Sequence, residues 1–199
     1  VKNKIETAKE VIKNIVSDSR LTEAANFGFV TWNSSADLEV EVSNTGASEI
    51  YNMIDSINAG GSTYLDNALD VAQDHYFGSN SPIISDAECQ QSIIIVISDG
   101  IWHDASQAIS SSENICNNNV KTYVIGFATQ GDSNYQLLSD MAGSDGSECG
   151  DSSDEQVDNS EVKSPLYADN KATLLDSISK IVTETIDRQL SFTTPTIIP

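Results

Sequence analysis

The feature that most constrains the fold is an apolar run that ends at Asp99, within the stretch Ser92-Ile-Ile-Ile-Val-Ile-Ser-Asp-Gly100. Isoleucine and valine follow one another without polar alternation, which is typical of a β-strand buried on both faces of a parallel sheet. Open α/β sheets bind their ligands at the carboxyl ends of the strands, so Asp99 is a candidate ligand-binding residue. The alternative is that Asp99-Gly100 only forms the turn that closes the strand. Further oxygen ligands at the same edge of the sheet would favour a ligand-binding role for Asp99 over a turn.

Length and charge limit the partners that the chain can have. Its 199 residues are enough for one domain with its own core. Thirty acidic and ten basic residues give a net charge of −20, which disfavours nucleic acid and anionic membranes and favours cations. The richness in Ser, Asn, Asp and Thr and the scarcity of Lys are typical of an exported or salt-tolerant protein. No apolar run reaches the 18 residues of a membrane-spanning helix.

Both ends of the sequence predict a piece of a longer chain. The sequence contains neither an initiating Met nor a signal peptide, it begins at Val1 within a helical pattern, and its last residues are apolar and include Pro195 and Pro199. We therefore expect a domain over residues 1–190 and a linker over 191–199 that leads to a following domain. Residues 143–163 are poor in apolar side chains and crowded with Asp, Glu, Ser and Gly, which predicts an acidic surface insertion.

Hydrophobic periodicity predicts strands that alternate with helices. Strict alternation over 37–42 marks an edge strand with one wet face. Helices are predicted over 2–17, 49–57 (capped by Thr45 or Ser48), 64–77, 104–117, 133–142 and from a cap at Asn170 onward, and the other strands over 26–32, 92–98, 120–127 and 166–168. This order predicts an α/β fold with a doubly wound, mostly parallel sheet, flanked by helices and carrying one antiparallel edge strand.

Two loops carry oxygen ligands suited to a cation. The loop Gly60-Gly-Ser-Thr63 bends sharply and places the hydroxyls of Ser62 and Thr63 at the start of a helix. Asp99 supplies a carboxylate after the central strand. Hydroxyls, carboxylates and water are the ligands that Mg²⁺ prefers, so the two loops together predict a divalent-cation site.

These residues stand in an order that resembles the von Willebrand factor type A domain. The resemblance covers nearly the whole chain and includes the strand Phe27-Gly-Phe-Val-Thr-Trp32, the loop Gly60–Leu69, the strand ending Ile97-Ser-Asp-Gly100 and Tyr123-Val-Ile-Gly-Phe127. It implies a Rossmann-like fold with a metal-ion-dependent adhesion site. In that family the metal ligands are an Asp-x-Ser-x-Ser motif after the first strand, a Thr in the second loop and an Asp after the fourth strand. The resemblance therefore implies that Thr63 and Asp99 are metal ligands, with Mg²⁺ as the preferred ion and Mn²⁺ and Ca²⁺ as the alternatives.

The sequence departs from the family pattern at its beginning. No Asp-x-Ser-x-Ser motif precedes the first helix, and the family's first strand, central in its sheet, is absent from this chain. Either that strand and motif lie upstream in the full-length protein, or this chain has lost its metal site. We favour the first, because a sheet without its middle strand leaves buried backbone groups unpaired.

A narrower resemblance concerns the stretch Cys89–Asp104, which is similar to the corresponding stretch of the type IV pilus tip adhesins, the PilY group. The tail Leu190-Ser-Phe-Thr-Thr-Pro195 is similar to the junction after their adhesion domain. This resemblance implies a bacterial surface protein at a pilus tip or in the cell envelope, with protein or surface ligands and pilus subunits as its partners.

Aromatic and histidine residues near Asp99 allow two interpretations. Trp102 either packs over the end of the strand or serves, together with Ser62, as an exposed anchor for a partner. His103 and Asp104 are predicted to be a surface pair, because the sequence offers neither a nucleophile motif nor a zinc motif beside them.

Three cysteines are too few for a disulfide scaffold. In an oxidising compartment one bridge with one remaining thiol is expected, whereas in a reducing one all three are small apolar residues. In a sheet of this family the helix before the fifth strand and the loop after the next helix come close, so Cys116–Cys149 is the preferred bridge.

The sequence thus predicts a binding module without catalytic residues, in which a divalent cation accepts a carboxylate of a partner. A structural pilus or envelope component with an incomplete metal site is the alternative. A metal-dependent hydrolase at Asp99 is disfavoured, because no general base stands out in the sequence.

Overall fold

The structure is a computed structural model that describes residues 4–84, 90–98, 102–127, 166–168 and 170–191. Helices and strands alternate along the chain, as the periodicity predicts. In chain order the elements are α1 (Lys4–Val16), α2 (Ser19–Thr22), β1 (Phe27–Trp32), β2 (Ala36–Ser43), α3 (Gly46–Met53) with a 3-10 turn (Ile54–Ser56), α4 (Leu65–Phe77), β3 (Ser92–Ser98), α5 (Ala105–Cys116), β4 (Val120–Phe127), β5 (Leu166–Ala168) and α6 (Lys171–Ser191).

Three strands form a parallel sheet in the order β3-β4-β5. β3 and β4 pair without a register shift, from Ser92 opposite Val120 to Ser98 opposite Gly126. β5 pairs with the end of β4, where Ile125 lies opposite Leu166. Parallel neighbours need a crossover between them, and α5 provides the one from β3 to β4.

Strands β1 and β2 form an antiparallel hairpin, with Trp32 opposite Ala36 at the turn. In β2 exposed and half-buried residues alternate up to the buried Val40. This alternation confirms the predicted edge strand with one wet face.

Two hydrophobic clusters cover opposite faces of the parallel sheet. Alternate residues of a strand point to opposite faces. Accordingly, Val120 and Val124 of β4 pack in the cluster with α4 and α5. Tyr123 and Ile125 pack in the other cluster, with α1 and α6. The α/β architecture with helices on both faces is therefore confirmed.

The burial of β3 differs from the prediction. The sequence predicts a strand buried on both faces, but in the structure only Val96 and Ser98 of β3 are fully buried, and the other five residues are half-buried. The physical reason is a cavity of about 1240 Å³ that lies between β3 and β1 and is lined by both strands. Every residue of β1 is half-buried for the same reason.

The helix boundaries agree closely with the predicted ones. Asn170 caps α6 as expected, because its Oδ1 accepts hydrogen bonds from the backbone N–H groups of Ala172 and Thr173. Thr45 occupies the cap position of α3 but makes no side-chain bond to the backbone there. The predicted helix 133–142, the insertion 143–163 and the linker residues 192–199 lie outside the described residues. Among the helices that are described, none is both long and apolar enough to cross a membrane.

Candidate functional site

The loop over residues 60–64 joins the ends of the two strand groups. The backbone N–H of Tyr64 donates to the carbonyl of Asn33, directly after β1, at 3.1 Å. On the other side, the N–H of His103 donates to the carbonyl of Thr63 at 2.8 Å, in the segment that follows β3. The carboxyl ends of β1 and β3 therefore lie at the same edge, which makes the two strands parallel. This is the edge at which α/β sheets place their ligands.

Gly61 gives this loop its sharp bend. Its φ of +81° lies in the left-handed region, which only glycine adopts without strain. A Cβ at this position would lie 3.0 Å from the Cβ of Asn33 and 3.0 Å from the Oγ of Ser34. The same Ser34 hydroxyl accepts a hydrogen bond from the N–H of Ser62 at 3.1 Å. The loop is thus held against the β1–β2 turn by close packing and by its own backbone.

Thr63, the predicted metal ligand, lies at the centre of this edge. Its backbone is fixed from both sides by the bonds to Asn33 through Tyr64 and to His103. Its side chain is half-buried. Within the described part of the chain, neither its hydroxyl nor that of Ser62 makes a hydrogen bond, so both oxygens are available to a ligand.

A carboxylate lies close to Thr63 in sequence, in the first turn of α4. Asp66 places its Oδ1 in a buried position, where no described residue hydrogen-bonds to it. The helix dipole favours a carboxylate in a first turn. Asp66 is therefore a residue near the predicted site whose side chain still has an acceptor to satisfy, and the sequence interpretation did not single it out.

Trp102 packs over the end of β3, as the first of its two interpretations predicts. Its side chain is only 8% exposed and belongs to the cluster formed with α4 and α5. The indole Nε1 donates to the Oγ of Ser98, the last residue of β3, at 2.6 Å. An anchor for a partner must be exposed, so the structure corrects the second interpretation of Trp102: the residue supports the edge from inside.

The exposed ring at this edge is that of His103. It stacks on Tyr64, with ring centroids 5.0 Å apart and an angle of 24° between the planes. The neighbouring Asp104 has a left-handed backbone, with φ 51°. His103 is exposed, as predicted, but its partner is the ring of Tyr64, a contact that no sequence pattern indicates.

Several predicted site residues lie outside the described part of the chain, namely Asp99, Cys149 and Cys89. Cys116 ends α5 and is half-buried, so its pairing with Cys149 stays a prediction. Among the described residues, no three His, Cys, Asp or Glu side chains come together as a metal-binding group. The described residues thus bring together Thr63, Ser62 and the end of β3, but not a complete ligand set.

Comparison with known proteins decides the family. The sequence profile of the von Willebrand factor type A domain matches residues 1–164. The chain belongs to this family. No curated protein sequence matches the domain.

Solved structures share the fold of this type A domain at low sequence identity. The PilB minor pilin from Streptococcus sanguinis has a TM-score of 0.68 at 15% identity, over 98% of this chain and 57% of the pilin. The pilus adhesin SpaC from Lactobacillus rhamnosus GG has a TM-score of 0.67 at 11% identity, over 92% of this chain and 28% of the adhesin. The manganese-loaded TRAP protein of Plasmodium vivax has a TM-score of 0.58 at 15% identity, over 88% of this chain and 65% of TRAP. At these identities the likeness concerns the fold.

Proposed function

We propose that this type A domain is an adhesion module of a bacterial pilus protein. In this proposal Thr63 and Asp99 bind a divalent cation, and that cation accepts a carboxylate from a protein or surface ligand outside the cell. Ser62, beside Thr63, is the candidate for contact with the ligand. The activity is binding, without catalysis.

The observation that carries the proposal is the arrangement of Thr63. The backbone of this residue is hydrogen-bonded into the edge where the strands end, while its hydroxyl has no partner among the described residues. A rigid backbone with an available oxygen is what a hard cation needs from a protein ligand. The hydroxyl of Thr45 provides a contrast, because it already donates to Glu49 Oε1 at 2.6 Å.

The donor set fits Mg²⁺ or Mn²⁺ by its chemistry. All the candidate atoms are oxygens, which suit hard divalent cations. When bound, such an ion supplies a positive centre with an open coordination position for a carboxylate. Thr63 and Asp99 provide two oxygens, so water and an upstream Asp-x-Ser-x-Ser segment would provide the others. The net charge of −20 also attracts cations to the domain.

The structural neighbours support the setting of the proposal. Two of them are described as a minor pilin and a pilus adhesin. A third was solved loaded with manganese. A surface location, metal dependence and a pilus partner are therefore proposed together for this chain.

A structural pilus or envelope component with an incomplete metal site is the second candidate. It is favoured by one observation: within the described ranges, no group of three acidic, histidine or cysteine side chains forms. In that case the helical faces would make the contacts and the domain would assemble without metal.

Calorimetric titration of Mg²⁺ and Mn²⁺ into the full-length protein separates the two candidates. The adhesion proposal predicts saturable binding with one ion per domain, lost in Thr63→Ala and kept in Thr45→Ala. Thr45 is the matched control, because it is also a threonine at a helix start but lies on α3. Attachment of the protein to its ligand surface should disappear with a chelator. Binding that Thr63→Ala leaves unchanged would overturn the assignment of Thr63.

A further inference from the structure

β2 carries a bulge near its end, and the bulge takes one backbone N–H out of the β1–β2 ladder. The two steps from Phe27 to Phe29 along β1 correspond to three steps along β2, so β2 has one extra residue there. The extra residue of a bulge is left without a ladder partner. β1 passes close by, since a Cβ on Gly28 would lie 3.0 Å from the backbone nitrogen of Val42. An N–H that is shielded from water needs an acceptor, which here must come from another element.

His75, in the last turn of α4, supplies that acceptor. The backbone N–H of Val42 donates to the Nε2 of the imidazole at 3.0 Å, and the bond is partly buried. An imidazole nitrogen accepts a hydrogen bond only when it carries no proton, so in this contact the ring is neutral and its proton lies on Nδ1. The contact between β2 and α4 therefore depends on the charge state of His75.

Hydrogen bonds attach the β1–β2 hairpin at both of its ends to α4 or to the loop before it. At the hairpin turn, the N–H of Tyr64 donates to the carbonyl of Asn33. At the other end, Val42 donates to His75. The first bond joins two backbone groups, which do not titrate. The second includes an imidazole, the side chain that changes its charge between about pH 5 and 8. The two ends of the hairpin should therefore respond differently to acid.

The surroundings of His75 are acidic. Among the described residues, β1 and β3 carry no titratable side chain. The ring of Tyr76, 6.0 Å from that of His75 between centroids, stays neutral, because burial raises the pKa of Tyr76 to about 12. The other titratable residues that flank the bonded pair or share the cavity with His75 are Asp74, Glu41, Glu39, Asp37, Glu23 and Lys4. All but the lysine are carboxylates, so a protonated ring is attracted to them and not to the N–H of Val42.

We propose that the hydrogen bond between Val42 and His75 is a pH-sensitive switch, which holds the end of the β1–β2 hairpin on α4 above about pH 7 and releases it below about pH 6. Protonation places a hydrogen on Nε2, so two donors face each other at 3.0 Å and the ring turns away. The N–H of Val42 then loses its acceptor and the bulge loosens. The bond from Tyr64 to Asn33 remains and keeps the hairpin turn in place. This inference goes beyond the proposed function, because the switch involves no cation.

Amide hydrogen exchange of the full-length protein at about pH 7.5 and about pH 5, in the presence of chelator, tests the switch. Rates are expressed as protection factors, which remove the intrinsic effect of pH on exchange. The factor at the amide of Val42 should fall roughly tenfold at the lower pH, as for the loss of one hydrogen bond, while that of Tyr64 stays unchanged. His75→Gln offers a carbonyl acceptor that does not titrate, so it should keep Val42 protected at both pH values. His103→Gln removes the other histidine of the chain and should keep the response to acid.

Nitrogen NMR of the imidazole rings in the natural protein is a second measurement, which needs no variant. At neutral pH the ring of His75 should carry its proton on Nδ1, and it should gain the second proton over the same pH range in which Val42 loses protection. A proton on Nε2 at neutral pH would overturn the proposal. A fall at Val42 that persists in His75→Gln or disappears in His103→Gln would do the same. An equal fall at Tyr64 would show that acid loosens the whole domain, and it too would contradict a switch at His75.

Discussion

Tyr76 connects α4 to the beginning of β3 through a single hydrogen bond. Its phenol donates to the carbonyl of Ile93 at 3.0 Å. The ring is buried, and this burial raises the pKa of Tyr76 to about 12. An unfolded tyrosine titrates near 10, so above that pH the unfolded chain loses this proton more readily than the folded one. The contribution of Tyr76 to stability is thus complete below pH 10 and is lost as the pH rises toward 12.

Replacing Tyr76 by phenylalanine should change the response to alkali. At pH 7 we expect Tyr76→Phe to lower the free energy of unfolding by about 1 kcal/mol, because the hydrogen bond is lost. Between pH 10 and 12 the free energy of unfolding should fall by about 2 to 3 kcal/mol more in the natural chain than in the variant. Urea unfolding over this pH range measures both. Tyr51→Phe is the control, since Tyr51 is 47% exposed, and an identical alkaline loss in all three proteins would contradict the prediction.

Gly61 is the residue on which the shape of the loop over residues 60–64 depends. We expect Gly61→Ala to lower the free energy of unfolding by about 1 to 3 kcal/mol. Alanine is strained at positive φ, and its Cβ would lie too close to Asn33 and Ser34. Gly60→Ala is the neighbouring control, since no atom lies within 4 Å of a Cβ placed there. Thermal unfolding and cation titration of both variants would check this. The prediction fails if Gly60→Ala is the more damaging of the two.

At the scale of elements, the caps of α6 and α3 offer a matched comparison. Asn170 accepts two backbone hydrogen bonds at the start of α6. Thr45 makes no such bond at the start of α3. Asn170→Ala should therefore destabilise the domain by about 1 kcal/mol, and Thr45→Ala by clearly less. Denaturant unfolding of the two variants tests the difference, and equal losses would show that the cap bonds of Asn170 contribute little.

The sequence predicted the elements well because their patterns are local. An unbroken apolar run defines β3, strict alternation defines β2, and the spacing of Leu174, Ile178 and Ile181 defines α6. Each of these patterns depends on which faces of an element are covered, and the covering layers are present in the structure. The family resemblance, drawn from motifs in the same order, was confirmed by the match over residues 1–164.

The contacts at the candidate site were less predictable because they join segments distant in sequence. The stacking of His103 on Tyr64 crosses about forty positions of the chain, and so does the bond from the N–H of His103 to the carbonyl of Thr63. Neither has a periodic pattern. Thr63 could be expected at this edge from the order of strands and loops, but the bonds that fix its backbone could not.

For the molecule as a whole, the cavity between β1 and β3 separates the β1–β2 hairpin from the three-stranded parallel sheet. The hairpin and the parallel sheet are held at the correct separation by α4 below and by α1 and α6 above. The loop over residues 60–64 joins them at one edge through backbone hydrogen bonds to Asn33 and His103. Thr63, the candidate cation ligand, also lines this cavity.

The net charge of −20 predicts how salt and divalent cations act on the whole domain. Raising NaCl from 0.01 to 0.15 M shortens the screening length from about 30 to 8 Å and should raise the unfolding temperature, because the acidic side chains repel one another less. MgCl₂ at the same ionic strength screens in the same way, so any additional rise reports specific binding to the folded state. In the full-length protein we expect such an additional rise, and Thr63→Ala should remove it while keeping the response to NaCl. An additional rise that persists in Thr63→Ala would place the binding at acidic residues elsewhere on the surface.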